Sequence, residues 1–502
     1  MELFDHLALG LSVALTPTNL IFAFVGVLLG TLIGVLPGIG PMATIAMLLP
    51  MTMQFEPATA IIMLAGVYYG AQYGGSTAAI LINVPGEVSA AVTAIDGYQM
   101  ARQGRAGPAL ATAAVGSFFA GTVATVALAL MAPPLAAIAL KFSSPEYFSL
   151  MLLGLVMAIA LAHGSPLKSI AMIILGLLLG VVGADQFSGR LRFTFGYLEL
   201  AEGVSFLAVV VGFFGIAEIL RNLEHQNGRQ ALATKIKGLM PTREELRRII
   251  GPILRGTGLG TFLGVLPGNG PVLAAFSSYT IEKKLSKNQA EFGHGAIEGV
   301  AGPESANNAA AQTSFVPMLT LGIPTNPVMA LMLGALLLNG VIPGPEVINR
   351  NPELFWGLIA SMWVGNAMLV VLNLPLIGLW VKLLTVPYRF LFPAIITFAS
   401  IGVYSISANS FHLYALALFG VLGYALIRVR CEPAPLMLGF ILGPLVEEHL
   451  RRSLIVSRGD PMVFFERPIS ATLLGLALVA AIIIFLPMVA KRREQVFQEE
   501  EA

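Results

Sequence analysis

The stretch Gly30-Thr31-Leu32-Ile33-Gly34-Val35-Leu36-Pro37-Gly38-Ile39-Gly40-Pro41 is written a second time at 260–271, as GTFLGVLPGNGP. The copies differ only at Leu32/Phe262, Ile33/Leu263 and Ile39/Asn269, so nine of twelve positions agree across a spacing of 230 residues. This is an internal duplication, and it divides the chain into two related halves. In each half a Pro-Gly-x-Gly-Pro break falls inside an apolar run. Paired, Gly/Pro-interrupted hydrophobic segments in corresponding positions are the best sequence pointer to the binding site of a secondary transporter.

Working outward, the composition fixes the solvent. Hydrophobic residues make up 56% of the 502 and charged residues only 11%, with a mean hydropathy of +0.81, whereas soluble domains carry about 25% charged residues. The fold class expected is an all-α polytopic membrane protein with about 10–12 transmembrane segments of ~20 residues, in two related halves. The expected division is a first transmembrane repeat at 1–220, a cytoplasmic linker at 221–252, a second repeat at 253–430, and C-terminal helices and tail at 431–502. The single cysteine, Cys431, excludes an intramolecular disulfide. The acidic start, Met1-Glu2-Leu3-Phe4-Asp5-His6, lacks the basic region of a cleaved signal. A net charge of +1 and the absence of a long basic block give no sign of nucleic acid.

Lys and Arg set the orientation. None occurs in the first 101 residues, and eight lie between 221 and 255: Arg221, Arg229, Lys235, Lys237, Arg243, Arg247, Arg248 and Arg255. The positive-inside rule places this central loop in the cytoplasm, and Lys491-Arg492-Arg493 puts the C-terminus there too. Arg255 precedes the second motif and Lys283, Lys284 and Lys287 follow it, so both of its ends read as cytoplasmic. Two arms of about ten residues around the break then form a re-entrant hairpin, matched by a first hairpin from the opposite face, as in inverted-topology repeats. The alternative is one Pro-kinked span in each half.

Each motif is followed by a small, polar run where hydrocarbon is expected. The first half has Gly70-Ala71-Gln72-Tyr73-Gly74-Gly75-Ser76-Thr77, continuing to Asn83-Val84-Pro85-Gly86-Glu87. The second has Gly302-Pro303-Glu304-Ser305-Ala306-Asn307-Asn308, then Leu321-Gly322-Ile323-Pro324-Thr325-Asn326-Pro327, with Val84-Pro85-Gly86 matching Ile323-Pro324-Thr325 more loosely. Gly and Pro free backbone N–H groups at half-helix N-termini for an anion and carbonyls at C-termini for a cation. Isolated glycines such as Gly176, Gly180, Gly212 and Gly215 read instead as close helix packing. Buried amides at Asn307 and Asn308 need partners, and Glu304 is a carboxylate able to bind a proton or Na⁺, or to serve structurally at an interface.

With these residues in view, the chain resembles the large membrane subunit of the bacterial tripartite tricarboxylate transporters. The resemblance is carried by 34–41, 74–86, Pro303-Glu304-Ser305-Ala306-Asn307-Asn308-Ala309-Ala310 and Val316-Pro317-Met318-Leu319-Thr320-Leu321-Gly322-Ile323-Pro324, and covers nearly the whole chain. It implies a cation-coupled importer of carboxylates in the bacterial inner membrane, working with a small membrane subunit and a periplasmic solute-binding protein. The chain departs from the family pattern at Gln312-Thr313-Ser314, where relatives have a glycine pair, and at Thr325-Asn326. Those departures bear on substrate identity rather than on class.

Residues and resemblance together give a candidate site. Pro37, Gly38, Gly40, Ser76, Thr77, Pro267, Gly268, Asn269, Gly270, Asn307 and Asn308 are the expected substrate-binding residues. Asn83, Gly86, Glu304, Gly322, Thr325 and Asn326 are the expected cation-coupling residues, holding Na⁺ on carbonyls or H⁺ on Glu304. No other cofactor is expected. Coupling has an electrostatic reason: a multivalent anion at the midplane is prohibitively costly unless cations enter with it. A stand-alone carboxylate carrier and an anion channel are the competing classes. No H-E-x-x-H or G-x-x-x-x-G-K-[ST] sequence is present, so hydrolase and ATP-driven readings have no motif to stand on.

Three quieter segments complete the sequence. Pro241-Thr242-Arg243-Glu244-Glu245 reads as a helix N-cap and first turn. The charged stretch 447–468 reads as a solvated loop or a partner contact. Trp356, Trp363 and Trp380 mark either interface belts or packing.

Overall fold

A computed structural model of the chain describes residues 2–36, 40–161, 165–224, 238–266, 270–383 and 388–485. Among these the structure is helical apart from loops and one small ribbon, Gly183–Ala184 paired with Leu191–Arg192. Among the described residues four helices are individually long and apolar enough to cross a membrane: Pro17–Val35, Ala106–Ala139, Pro352–Asn373 and Phe411–Arg428. Other apolar segments are shorter or carry Pro, Gly and amides that break or polarise them.

Each copy of the duplicated motif builds a hairpin. In the first, an inbound arm Pro17–Val35 is followed by a return arm Pro41–Thr52. The second has an inbound arm Arg243–Val265 and a return arm Gly270–Leu285. A continuous helix would hold Arg255 and Glu282 about 40 Å apart at the helical rise of ~1.5 Å per residue. Instead their side chains form an ion pair at 2.5 Å. In the first hairpin the Phe22 and Phe55 rings approach to 4.3 Å between centroids, and Ile33 packs on Ala43. The arms are longer than the ten residues expected. The second inbound arm starts at Arg243, so 243–252 is its opening turns and not linker; Thr242 and Glu245 close a capping box that begins it there.

Glycines at the start of the motif and one turn before it explain how the arms dock. Gly26, Gly30 and Gly34 lie against the carbonyls of Met63, Val67 and Ala71 on the next helix, Pro57–Ile82, where added Cβ atoms would sit only 2.2, 2.2 and 2.5 Å away. In the second half Gly256, Gly260 and Gly264 meet the carbonyls of Gly302, Ala306 and Ala310 in the same way, at 2.4, 2.1 and 2.4 Å. Residues spaced by four share a helix face, so each glycine stripe forms a groove that lets two backbones touch. Since numbering rises together in both partners, each inbound arm runs parallel to the helix that follows it.

Those following helices cross each other. One is Pro57–Ile82; the other is Glu298–Thr313, continued after a break at Ser314 by Phe315–Leu321. Ser76 bonds to Glu304, Gln72 bonds to Asn307, and the Tyr69 ring packs near Phe315, so the numbering falls on one helix as it rises on the other. The crossing helices are therefore antiparallel, and the hairpins enter from opposite ends. This is an inverted repeat.

Each crossing helix ends in a left-handed residue, Asn83 at φ 55° and Gly322 at φ 70°. The chain then folds back so that the Gly86 N–H reaches the Gly75 carbonyl and the Thr325 hydroxyl reaches the Ser314 carbonyl, each at 3.5 Å. Both pairs span 11 residues, which is the structural counterpart of the loose match between 84–86 and 323–325.

A carboxylate ties the halves together at the end where the second inbound arm begins. Asp96, fully buried on helix Ala91–Arg102, accepts the N–H groups of Gly293, Gly295 and Ala296 at 2.9, 2.8 and 2.9 Å and the Tyr279 hydroxyl at 2.9 Å. Asp96→Ala leaves these four donors without their acceptor. It is expected to cost about 3 kcal/mol or more, at roughly 1–3 kcal/mol for each buried orphan. A lowered unfolding midpoint of the solubilised protein checks this, and an unchanged midpoint contradicts it.

The remaining expectations have plain structural outcomes. Gly176 and Gly180 pack on the backbone of Pro433–Val456, and Gly212 packs on Phe419 and Gly420; Gly215 has no contact as close. The charged stretch from 447 pairs within the chain: Glu447 with Arg192, Arg451 with Asp185, and Arg467 with Glu146. Trp356 and Trp380 are buried and serve packing.

Candidate functional site

Where the crossing helices meet, five segments deliver polar side chains to one buried cluster. Glu304 is 1% exposed. Its Oε1 accepts from Ser76 Oγ at 2.7 Å and from Thr93 Oγ1, and its Oε2 accepts from Ser117 Oγ at 3.4 Å. Asn308 Nδ2 donates to Ser117 Oγ at 2.7 Å and to the Glu304 carbonyl at 3.1 Å. Asn307 Nδ2 donates to Gln72 Oε1 at 2.8 Å, and Ser89 Oγ donates to the same oxygen at 3.2 Å. Spacing explains the convergence: Gln72 and Ser76 are four residues apart on one helix, and Glu304, Asn307 and Asn308 are three and four apart on the other, so each set shares a face. Close by, Tyr73 donates to Asn366 Oδ1 at 2.8 Å.

A narrow cavity opens beside Glu304, lined among others by Tyr73, Ser76, Thr77, Ser117 and Asn373. It is about the size of one water molecule, far too small for a tricarboxylate. A substrate of that size enters this site only if the elements around it move. Asn373 Oδ1, on the cavity wall, lacks a hydrogen-bond partner, and so do the buried Asn307 Oδ1 and Gln72 Nε2 of the neighbouring amide pair and Glu87 Oε2 in the fold-back. In a hydrocarbon-embedded interior each such orphan costs free energy and calls for a bound water or a ligand to satisfy it.

Both hairpins end beside this cluster. Gly34 rests on Ala71 and Gly75, within a turn of Gln72 and Ser76, and Gly264 rests on Ala310 and Thr313, within two turns of Asn307 and Asn308. Pro37, Gly38, Pro267, Gly268 and Asn269 lie outside the described residues. Gly40 caps the first return arm, its carbonyl accepting from Thr44 Oγ1 at 3.2 Å, and nothing stands within 4 Å of where its Cβ would be. Gly270 opens the second return arm and packs against Leu263 and Gly264. Each return arm thus presents its N-terminus, the positive end of its dipole, near the crossing.

The structure joins Ser76, Asn307, Asn308 and Glu304 in one network, and Thr77 lines the cavity while bonding the Tyr73 carbonyl at 3.2 Å. The other cation candidates stand apart from Glu304. Asn83 is an exposed helix end, and Gly86 packs on the Gly34 carbonyl. Gly322 makes the turn in the second half. Asn326 caps helix Pro327–Leu338, accepting from Met329 N at 2.9 Å and donating to Ser314 Oγ at 3.2 Å, while Thr325 reaches the Ser314 carbonyl. Sequence reasoning missed Gln72, Ser89, Thr93, Ser117 and Glu87 as site residues. Gln72 and Glu87 were visible inside the polar runs; Thr93 and Ser117 are single hydroxyls in apolar helices and carry no local signal. Among the described residues no group of three His, Cys, Asp or Glu side chains is placed to hold a metal ion.

Comparison with known proteins adds to this geometry. The family described as the "Tripartite tricarboxylate transporter TctA family" matches residues 20–438. An uncharacterised 52.8 kDa protein in the TAR-I ttuC' 3' region of Agrobacterium vitis is 64% identical over 501 residues, covering 100% of both chains. An uncharacterised protein in the TAR-II ttuC' 3' region of the same organism is 68% identical over 242 residues, covering 48% of this chain and 100% of its own length. No solved structure matches.

Proposed function

Because the chain belongs to the tripartite tricarboxylate transporter TctA family, we propose that it is the large permease subunit of a binding-protein-dependent, cation-coupled importer of di- and tricarboxylates. It works in the inner membrane with a small membrane subunit and a periplasmic solute-binding protein, its basic central loop and C-terminus in the cytoplasm. One observation carries the reading: two inverted hairpins converge on a buried carboxyl and amide cluster where antiparallel helices cross. Broken helices at the interface of inverted repeats are how secondary transporters build midplane sites.

The chemistry follows from the residues present. The substrate carboxylates bind between the hairpin tips, on N–H groups of the return-arm starts, on hydroxyls of Ser76 and Thr77, and on amides of Asn307 and Asn308. No Arg or Lys lies within the cluster, so the anion's charge is neutralised by cations that travel with it. Glu304 sits at the centre of the donors and, once its charge is neutralised by a proton or a nearby cation, permits an anion alongside. Movement of the hairpins against the crossing helices then exposes the site to alternate sides.

Reconstitution with its small subunit and binding protein tests the reading. Accumulation of labelled di- or tricarboxylate against its gradient, driven by inward Na⁺ or H⁺ and lost without the binding protein, is expected. Accumulation that persists without the binding protein contradicts the tripartite element and leaves a stand-alone carrier. Passive equilibration contradicts coupled transport and leaves a channel.

A further inference from the structure

Resting on the importer reading, we propose that the core of hairpins and crossing helices shifts against the outer helices toward the periplasm, and that the second hairpin then docks on Ser144–Leu161 and Pro433–Val456. The two repeats are alike in plan but unequally covered. After its long helix, Ala106–Ala139 or Pro352–Asn373, and apart from the short Ile377–Leu383, each repeat adds three outer segments. These are Ser144–Leu161, Pro166–Gly180 and the run 206–224 in the first, and Tyr388–Ser407, Phe411–Arg428 and Pro433–Val456 in the second.

The first hairpin is seated on the third segment of its own repeat and the first segment of the other. Met47 Cγ lies 3.8 Å from where a Cβ on Gly215 would stand, and Pro50 Cβ 3.1 Å from where one on Gly402 would stand. The second return arm, Gly270–Leu285, packs instead on its inbound arm, on Glu298–Thr313 and on the segment 88–102, and its other side is open. At the duplication's spacing of 230, Leu36 corresponds to Leu266, Ala43 to Leu273 and Pro50 to Thr280. The first of each pair is buried, whereas Leu266 is 42% and Leu273 43% exposed, and Thr280 is exposed too.

Inverted repeats have two related packings, one for each side of the membrane, and exchanging them names the second hairpin's seat. The third segment of the first repeat and the first of the second become Pro433–Val456 and Ser144–Leu161. Those two pack together, and their surface is held here by Pro327–Leu338 and by Ile323, 3.7 Å from a Cβ on Gly154. The direction follows from which ends engage. Arg428 pairs with Glu224 beside the central loop, so Phe206 and Val456 mark the far ends of the outer helices. The core meets the outer set through the first hairpin, which enters from that far end, and through Pro327–Leu338, whose Gly334 lies against the Phe206 ring. The second hairpin and the Asp96 helix, at the central-loop end, pack on the core alone. The core therefore sits toward the cytoplasm, and its return stroke points to the periplasm. Lipid tails are as apolar as leucine, so the open face is covered and uncovered at little cost. This shift adds to any local movement of the hairpins on the crossing helices.

The test uses the full-length protein in a Cys431→Ser background, reconstituted with its small subunit and binding protein. Bridged cysteines hold their Cβ atoms about 3.5–4.5 Å apart, so Met47→Cys with Gly215→Cys can be oxidised to lock the first hairpin on its seat. Locking is expected to abolish carboxylate uptake and reduction to restore it, while each single variant keeps uptake under oxidation. Spin labels read the motion without transport. Thr280→Cys with Val456→Cys is expected to show a second, shorter distance, and Met51→Cys with Val429→Cys a second, longer one; all four positions are exposed. Uptake unchanged by the disulfide, or a single distance in both pairs with and without tricarboxylate, overturns the shift and spares the importer. Both second distances in a complex that moves no carboxylate support the shift and overturn the importer.

Discussion

Glu304→Ala is expected to abolish gradient-driven carboxylate uptake while the protein still inserts in the membrane. The carboxylate gathers Ser76, Thr93 and Ser117 from three different helices, and Asn308 holds Ser117 in turn. Removing it takes the side-chain acceptor from the Thr93 and Ser117 hydroxyls, leaves Ser76 only its bond to the Gln72 carbonyl, and unties the three helices from Glu304. Hydrogen bonds to a charged group contribute about 1.5–3 kcal/mol each, so losing even two of them shifts the organised site by roughly 100-fold or more in population. Glu304→Gln separates geometry from charge. It keeps an acceptor for the hydroxyls but cannot exchange a proton, so uptake that survives in Glu304→Gln and fails in Glu304→Ala assigns Glu304 to positioning. Uptake near wild-type level in Glu304→Ala contradicts the placement of the site at the crossing.

Gly30→Ala and Gly260→Ala are expected to be the most damaging of the conservative substitutions in the duplicated motif. Their new methyl groups would stand 2.2 Å from the Val67 carbonyl and 2.1 Å from the Ala306 carbonyl. Both obstacles are backbone atoms of packed helices and cannot rotate away, so each cost falls at the upper end of overpacking, about 3 kcal/mol. Gly40→Ala is the internal control, since nothing lies within 4 Å of its Cβ position and its φ of −77° suits any residue. Its unfolding midpoint is expected to match wild type, so any loss of uptake in it reports on the site alone. The contrast is read from unfolding midpoints of the three purified variants. Equal midpoints for Gly30→Ala and Gly40→Ala would sink the glycine-groove explanation of the motif.

Much of this fold was legible in the sequence because the duplication is long and its hydrophobicity is strong. The agreement of 30–41 with 260–271 at nine of twelve positions, together with Arg255 and Lys283 flanking the second copy, pointed to opposed hairpins. What the sequence could not weigh was the division of labour inside the motif. Gly30, Gly34, Gly260 and Gly264 pack helices, and the same residue type at Gly40 does not. Gly26 and Gly256 extend the groove by one turn, a pattern that becomes meaningful only once the partner helix is known.

The site was half legible. Glu304, Asn307 and Asn308 declare themselves as polar groups in an apolar run, and so does Ser76 beside Gln72. Their partners Thr93 and Ser117 come from helices Ala91–Arg102 and Ala106–Ala139, whose local sequences give no reason to choose one hydroxyl over another. Only the antiparallel crossing brings them to the same carboxylate. Asn326 adds what the sequence could not show: its side chain caps helix Pro327–Leu338, which leaves only its backbone carbonyl for the cation role expected of it.

The most direct measurement is the sidedness of the crossing itself. In a Cys431→Ser background, which removes the single native cysteine, Thr77→Cys places a thiol on the wall of the cavity beside Glu304. Membrane-impermeant thiol reagents are applied from each face in turn, with and without tricarboxylate and Na⁺. Labelling from both faces, slowed by the carboxylate only when the coupling ion is present, is the predicted result. Labelling from one face alone, or at a rate indifferent to the carboxylate, contradicts a substrate site that alternates at the crossing of the two repeats.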